Sequence, residues 1–146
     1  MALITYPAIS LWQPFAQLLF TVKTHETRDY APPPKYVGKR ILIHAAKSLK
    51  GLDDMEDDLR LVCIQQLGPA FELRLPRGVL LGTAVLRRAF PIIDTGSQAD
   101  SDEDRICGFW APGRWAWEFT DREMFDQPIP ARGHQGWWPQ EIEEAA

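Results

Sequence analysis

Twelve prolines are scattered through the 146 residues, and their spacing limits what the chain can build. A proline fixes φ and removes a backbone donor, so long helices and central strands are confined to the stretches between them. The chain has the usual size of one domain and can bury a core without disulfide or metal staples. The expectation is one domain over 1–146, built of short elements and fixed turns.

Between the prolines, the hydrophobic pattern is mostly that of strands. Residues 2–11 (ALITYPAISL) read as a short strand. Ser10 is a candidate cap and Pro14 a first-turn residue of a short helix carrying Trp12, Phe15, Ala16, Leu18 and Leu19. Residues 24–30 look extended, and APPPK at 31–35 is a rigid loop. KRILIHAA after Gly38 alternates as a strand, with Ile41 and Ile43 on one face and Leu42 and His44 on the other. Residues 53–67 give the best helix, with acids in its first turn, a Met55, Leu59, Val62, Gln66 stripe, and a stop at Gly68-Pro69. GVLLGTAVLRRAF at 78–90 is a strand that Gly82 should bend or bulge. In RWAWEFT, Trp115, Trp117 and Phe119 point one way, and Arg114, Ala116 and Glu118 the other. Residues 94–105 read as an acidic solvated loop. The segment from 128 onward reads as loop and turn around bulky aromatics. Together these elements predict an α+β fold: a small curved sheet or barrel with packed helices.

Charge is distributed unevenly. Residues 1–50 carry seven basic side chains against two acidic ones, and all five lysines lie between Lys23 and Lys50. The remainder holds nine arginines against eighteen acids. A basic site on an otherwise acidic body follows, rather than a generally basic nucleic-acid binder. Cys63 and Cys107, the only cysteines, form neither a disulfide framework nor a zinc pattern, and His25, His44 and His134 fit no metal spacing. No cofactor or metal is expected. No leader pattern or long apolar run is evident, so a cytoplasmic, non-membrane protein is the expectation.

The densest polar cluster is Lys23-Thr24-His25-Glu26-Thr27-Arg28-Asp29. In a strand from Thr24, the side chains of Thr24, Glu26 and Arg28 share one face, with Lys23 in the preceding turn. Such a set offers cations for a phosphate and a carboxylate that accepts from base amino groups or serves as a general base. The alternative is an edge strand guarded by charge. Lys39 and Arg40 open the next strand and extend the candidate phosphate track, and Arg87 and Arg88 either extend the basic face or guard an edge. Trp12 and the Trp137-Trp138 pair are candidate stacking platforms. Trp115 and Trp117 read as core, His44 as a half-buried structural residue, and Arg132 as a candidate phosphate contact.

SLWQPFAQLL (10–19) followed by VKTHETR (22–28) resembles the start of the ASCH domain family, a branch of the PUA-like barrels. Lys23, Glu26 and Arg28 match the family's Lys-x-x-Glu-x-Arg pattern, while Thr21 stands at its glycine position. GKRILIHAAK, GVLLGTAVL, WAWEF and PIPARGHQGWW resemble later segments, so the likeness spans about 8–138. The resemblance implies a PUA-like mixed β-barrel with two or more packed helices and a cleft beside the first helix. It implies recognition of single-stranded RNA, a nucleotide or a modified base by Lys23, Glu26 and Arg28, to which charge placement adds Lys39 and Arg40 and stacking chemistry adds Trp12. Two alternatives stay open. One is a hydrolase acting on RNA or on an N4-acylated cytidine, with Lys23 and Glu26 catalytic and Glu118 a second carboxylate. In that amidohydrolase branch a threonine follows the lysine by three positions, where this chain has Glu26; Thr24 and Thr27 flank it. The other alternative is a protein-interaction module using the C-terminal aromatics.

Overall fold

The computed structural model describes residues 2–143. Six strands form one mixed sheet in the order β2-β5-β4-β3-β1-β6. The strands are β1 (Leu3–Leu11), β2 (His25–Arg28), β3 (Arg40–Ala45), β4 (Val79–Pro91), β5 (Trp115–Pro130) and β6 (Trp137–Glu143). Three α-helices, α1 (Phe15–Leu18), α2 (Asp57–Leu67) and α3 (Asp102–Ile106), complete the α+β architecture. β1 runs parallel to β3, and the remaining pairings are antiparallel.

The expected barrel is not closed by backbone pairing, because β2 and β6 remain edges of the sheet. Side chains draw those edges together. The Arg28 guanidinium on β2 donates from Nη2 to the Ser10 carbonyl on β1 at 3.2 Å. Trp117 on β5 stacks on Trp137 of β6 with ring centroids 5.8 Å apart. The curvature comes from irregular pairing. Register shifts interrupt the β4–β5 ladder three times, one of them between Leu80 and Gly82. A Cβ on Gly82 would overlap the Glu123 carbonyl oxygen, so only glycine allows β5 to cross so close to the bulge.

The concave side holds the main core: Ile9, Leu11, Ile41, Ile43, Leu81, Leu86, Trp117 and Phe119 among others. The alternation read from β3 and β5 therefore holds. A second cluster joins Leu59, Val62 and Cys63 of α2 to Leu18, Phe71 and Cys107. Cys63, rather than the exposed Gln66, completes the buried stripe of α2. Burial pushes the Cys63 thiol up to about 11 and the Cys107 thiol to about 12, so both remain protonated packing groups at neutral pH.

The helix expected over 53–67 begins only at Asp57, and three further expectations need correction. Ser10 caps no helix; it lies within β1, with its hydroxyl 2.9 Å from His44 Nδ1. The segment from 128 is not all loop, because β5 runs to Pro130 and β6 spans Trp137–Glu143. Pro139 faces Pro7 across the outermost ladder, an edge position where a missing donor is tolerated. The acidic stretch 94–105 is solvent-exposed over half its length, as expected, but it is ordered and includes the short helix α3. Asp94 accepts from the Gly96 and Ser97 amides, and the Ser101 hydroxyl caps α3 by accepting from the Asp104 amide at 3.0 Å.

Candidate functional site

The pairing of β2 with β5 decides where the charged cluster points. Glu26 lies opposite Trp117 and Arg28 opposite Trp115, so the Glu26 and Arg28 side chains share the concave face with the tryptophans. His25 and Thr27 point the other way, opposite Glu118 and Ala116. Charged side chains on an edge strand ordinarily stay in water; these turn into the mouth of the curled sheet.

The result is a buried ion chain. Lys23 is 1% exposed and donates from Nζ to the His25 carbonyl at 2.6 Å and to Glu26 Oε1 at 2.7 Å. Arg28 donates from Nε to Glu26 Oε2 at 2.9 Å, and its guanidinium lies 5.5 Å over the Trp117 ring. Burial alone would raise the Glu26 pKa, but the charges and hydrogen bonds of Lys23 and Arg28 bring it below the usual carboxylate value. Burial likewise opposes the charge on Arg28, and Glu26 outweighs it. Glu26 is therefore a fixed, ionised acceptor, and its lowered basicity suits it poorly to proton abstraction.

A cleft of about 790 Å3 opens beside this chain. Its wall includes Trp12, Glu26, Thr27, Arg28, Phe109 and Arg114. Trp12 is 49% exposed and Phe109 65%. Arg114 lies 4.5 Å over the Phe109 ring, donating to the Phe109 carbonyl at 2.9 Å and to the Thr27 carbonyl at 3.1 Å. The Phe109 amide in turn donates to the Thr27 hydroxyl at 2.9 Å. These bonds fasten the 108–114 loop to β2, leaving an aromatic ring standing free at the rim.

The sequence asymmetry does not become a basic cleft. Three arginines (Arg28, Arg105, Arg114) and three carboxylates (Glu26, Glu56, Asp58) line the wall, with Lys23 behind it. Lys39 and Arg40 lie outside. Lys39 is exposed, and Arg40 is spent on the Thr83 hydroxyl and the Asp121 carbonyl, both at 2.9 Å. Trp12 and Glu26 thus meet Arg28 at one site, and the Lys39–Arg40 extension does not reach it. Trp137 and Trp138 are packed instead of offered. Trp137 lies between Trp117 and Tyr36, and the buried Trp138 ring meets His44. His44 is structural, with Nε2 2.9 Å from the Ala131 carbonyl. Arg132 is exposed and lines no part of this cleft.

On the convex face the acidic segment supplies a residue that sequence reasoning missed. Asp104 is fully buried. It accepts from the Thr24 amide (2.8 Å), the His25 amide (3.0 Å), the Asp100 amide (3.1 Å) and His25 Nδ1 (2.8 Å). Burial opposes its charge, but the His25 and backbone hydrogen bonds prevail and bring its pKa down to about 2. His25 Nε2 is buried without a partner, 3.8 Å from Glu118 Oε1, with Phe90 and Trp110 edge-on to the ring. His25, Asp100 and Asp104 bring metal-ligand atom types within 4.8 Å, yet Asp104 already accepts from four N–H groups. Glu118, on this opposite face and held by Arg88 at 3.0 Å, is not brought to Glu26. Thr24 bonds Asp100, and Thr27 serves the Phe109 loop.

Two sequence signals for the missed parts were present. Ser101-x-x-Asp104 is a capping signature. Phe109-Trp110 sits among glycines and proline, where no regular face exists to bury both rings.

No family model and no curated protein matches the chain. Solved structures do. The crystal structure of ASCH from Zymomonas mobilis superimposes with a TM-score of 0.50 at 20% identity, covering 85% of this chain and 72% of that one. A serine-to-alanine mutant of the Zymomonas protein superimposes with the same score and coverage at 21% identity. The chain has the ASCH fold. At these identities the likeness is one of fold, and the function must be argued from the cleft.

Proposed function

We propose that this protein binds single-stranded RNA or a nucleotide in the cleft beside β2. The convergence of the Lys23–Glu26–Arg28 ion chain and an exposed Trp12 on one cavity carries this conclusion. Unstacked bases are recognised by aromatic stacking and by hydrogen bonds to their edges. A carboxylate fixed in the ionised state accepts from a base amino or imino group, and Arg28 meets phosphate or a second acceptor. Lys23 acts indirectly, by holding Glu26.

Hydrolysis of RNA or of an acylated nucleoside has less support. Glu26 is a weak base, Lys23 has two acceptors already, and Glu118 lies on the other face. A protein-interaction role for the C-terminal aromatics is weakened by the packing of Trp137 and Trp138.

The balanced charge of the wall yields a quantitative expectation. A short single-stranded RNA should bind with a log–log salt slope of about −1, because roughly one or two phosphates are met. Arg28→Ala should weaken binding about tenfold or more and flatten that slope. The check is a fluorescence titration across salt concentrations. A steep slope that survives Arg28→Ala would place binding on the lysine-rich surface outside the cleft.

A further inference from the structure

The cleft wall carries two exposed aromatic rings, Trp12 and Phe109, and the guanidiniums of Arg28 and Arg114. Arg28 lies over the Trp117 ring and donates from Nη2 to the Ser10 carbonyl, and it lines the cleft together with Trp12. Phe109 is paired with Arg114, which covers one of its faces and binds its carbonyl. The two guanidiniums sit at adjacent residues of β2, since Arg114 is tied to the Thr27 carbonyl and the other guanidinium belongs to Arg28. Neither guanidinium is exhausted. Among the described residues Arg114 Nη1 has no protein partner, and Arg28 Nη1 has only a long 3.5 Å contact to the Tyr30 hydroxyl. The volume of about 790 Å3 lies in the upper part of the range of about 300–1,000 Å3 usual for small-molecule sites, generous for a single base.

We propose that the cleft takes a dinucleotide step, with its phosphodiester over Thr27–Arg28 between the two guanidiniums and one base on each of Trp12 and Phe109. The inference rests on nucleotide binding in this cleft and names the unit bound. Stacking on separate platforms is tolerant of base identity, so the Glu26 carboxylate supplies discrimination at the Trp12 end only. Phe109 and Arg114 then determine the number of nucleotides held.

The test is calorimetric titration with 2′-O-methyl dinucleoside monophosphates (ApA, CpC) beside 2′-O-methyl AMP and CMP, ligands that cannot be cleaved through a 2′-hydroxyl. The dinucleotides should bind about tenfold or more tightly. They carry less phosphate charge than the mononucleotides, so the gain is not electrostatic. Trp12→Ala and Phe109→Ala should each bring the ratio of the two affinities close to one. Phe109→Leu, which keeps an apolar side chain in the loop, should lose the same gain. Equal binding of mono- and dinucleotides by wild type, or a gain that survives both substitutions, overturns the dinucleotide step and leaves nucleotide binding standing. Wild type that binds none of the four ligands overturns both.

Discussion

Asp104→Ala is expected to lower the free energy of unfolding by about 3–5 kcal/mol, the cost typical of removing one partner from a buried charged network. The substitution strands the buried His25 amide and ring N–H and the part-buried Thr24 and Asp100 amides. Against a total of about 5–15 kcal/mol for a domain, that loss brings the fold to the edge of stability. Asp102→Ala, two residues away in the same acidic run but with its side chain 86% exposed, should change stability by at most about 0.5 kcal/mol. Urea denaturation of the two variants makes the comparison. If both lose under 1 kcal/mol, Asp104 is not the clamp its contacts describe.

The same carboxyl sets an acid limit. Its folded pKa of about 2 lies below the ordinary 3.8, so the unfolded chain takes up this proton first as pH falls. The contribution is complete above about pH 5 and is lost as pH drops from about 4 to 2, amounting to about 2 kcal/mol. Asp104→Asn should remove that part of the acid dependence.

Lys23→Ala should be of similar size, about 3–5 kcal/mol, for a related reason. The ammonium is enclosed and has two short hydrogen bonds. Removing it leaves the His25 carbonyl unpaired and Glu26, 12% exposed, with Arg28 alone. Lys23→Met restores most of the volume and should recover only the packing part. Adding Glu26→Gln to Lys23→Met should recover more, because the stranded charge is gone; the coupling is measured by a double-mutant cycle. A loss below 1 kcal/mol would mean that the ammonium reaches water. Lys23 variants are consequently poor probes of ligand contact, whereas the exposed Trp12 and Phe109 can be altered at the rim.

Much of the sheet was legible because its strands obey a two-residue period. The alternation of Ile41 and Ile43 in β3, the Gly82 break in β4 and the Trp117, Phe119 face of β5 all correspond to structure. The ion chain was legible as a cluster, since its residues are local in sequence. Its burial was not, because that depends on β2 pairing with β5, some ninety residues away. Lys39 and Arg40 misled for the converse reason. They are close in sequence to the cluster, yet they stand at the start of β3, three strands from β2 in the sheet. Composition hid Asp104: an acidic run rich in serine and glycine looks solvated, and one carboxylate buried against amides leaves no hydrophobic trace. Pro128, Pro130 and Pro139 concealed the end of β5 and all of β6, because proline argues against a central strand but not against an edge.

The pairing of β6 with β1 has a consequence for how the protein is made. Leu3 is matched with Glu143 and Ile9 with Trp137, so β1 waits for residues far downstream in the chain before its outer edge is covered. During synthesis β1 can join only β3, and the buried set of Ala8, Leu42, Leu80 and Trp138 stays incomplete until β6 emerges. Contacts spanning almost the whole chain favour slow folding, in the millisecond-to-second regime typical of such topologies. Over that interval the nascent chain presents an open strand edge beside exposed apolar residues, the state in which it is most vulnerable to pairing with another copy of itself.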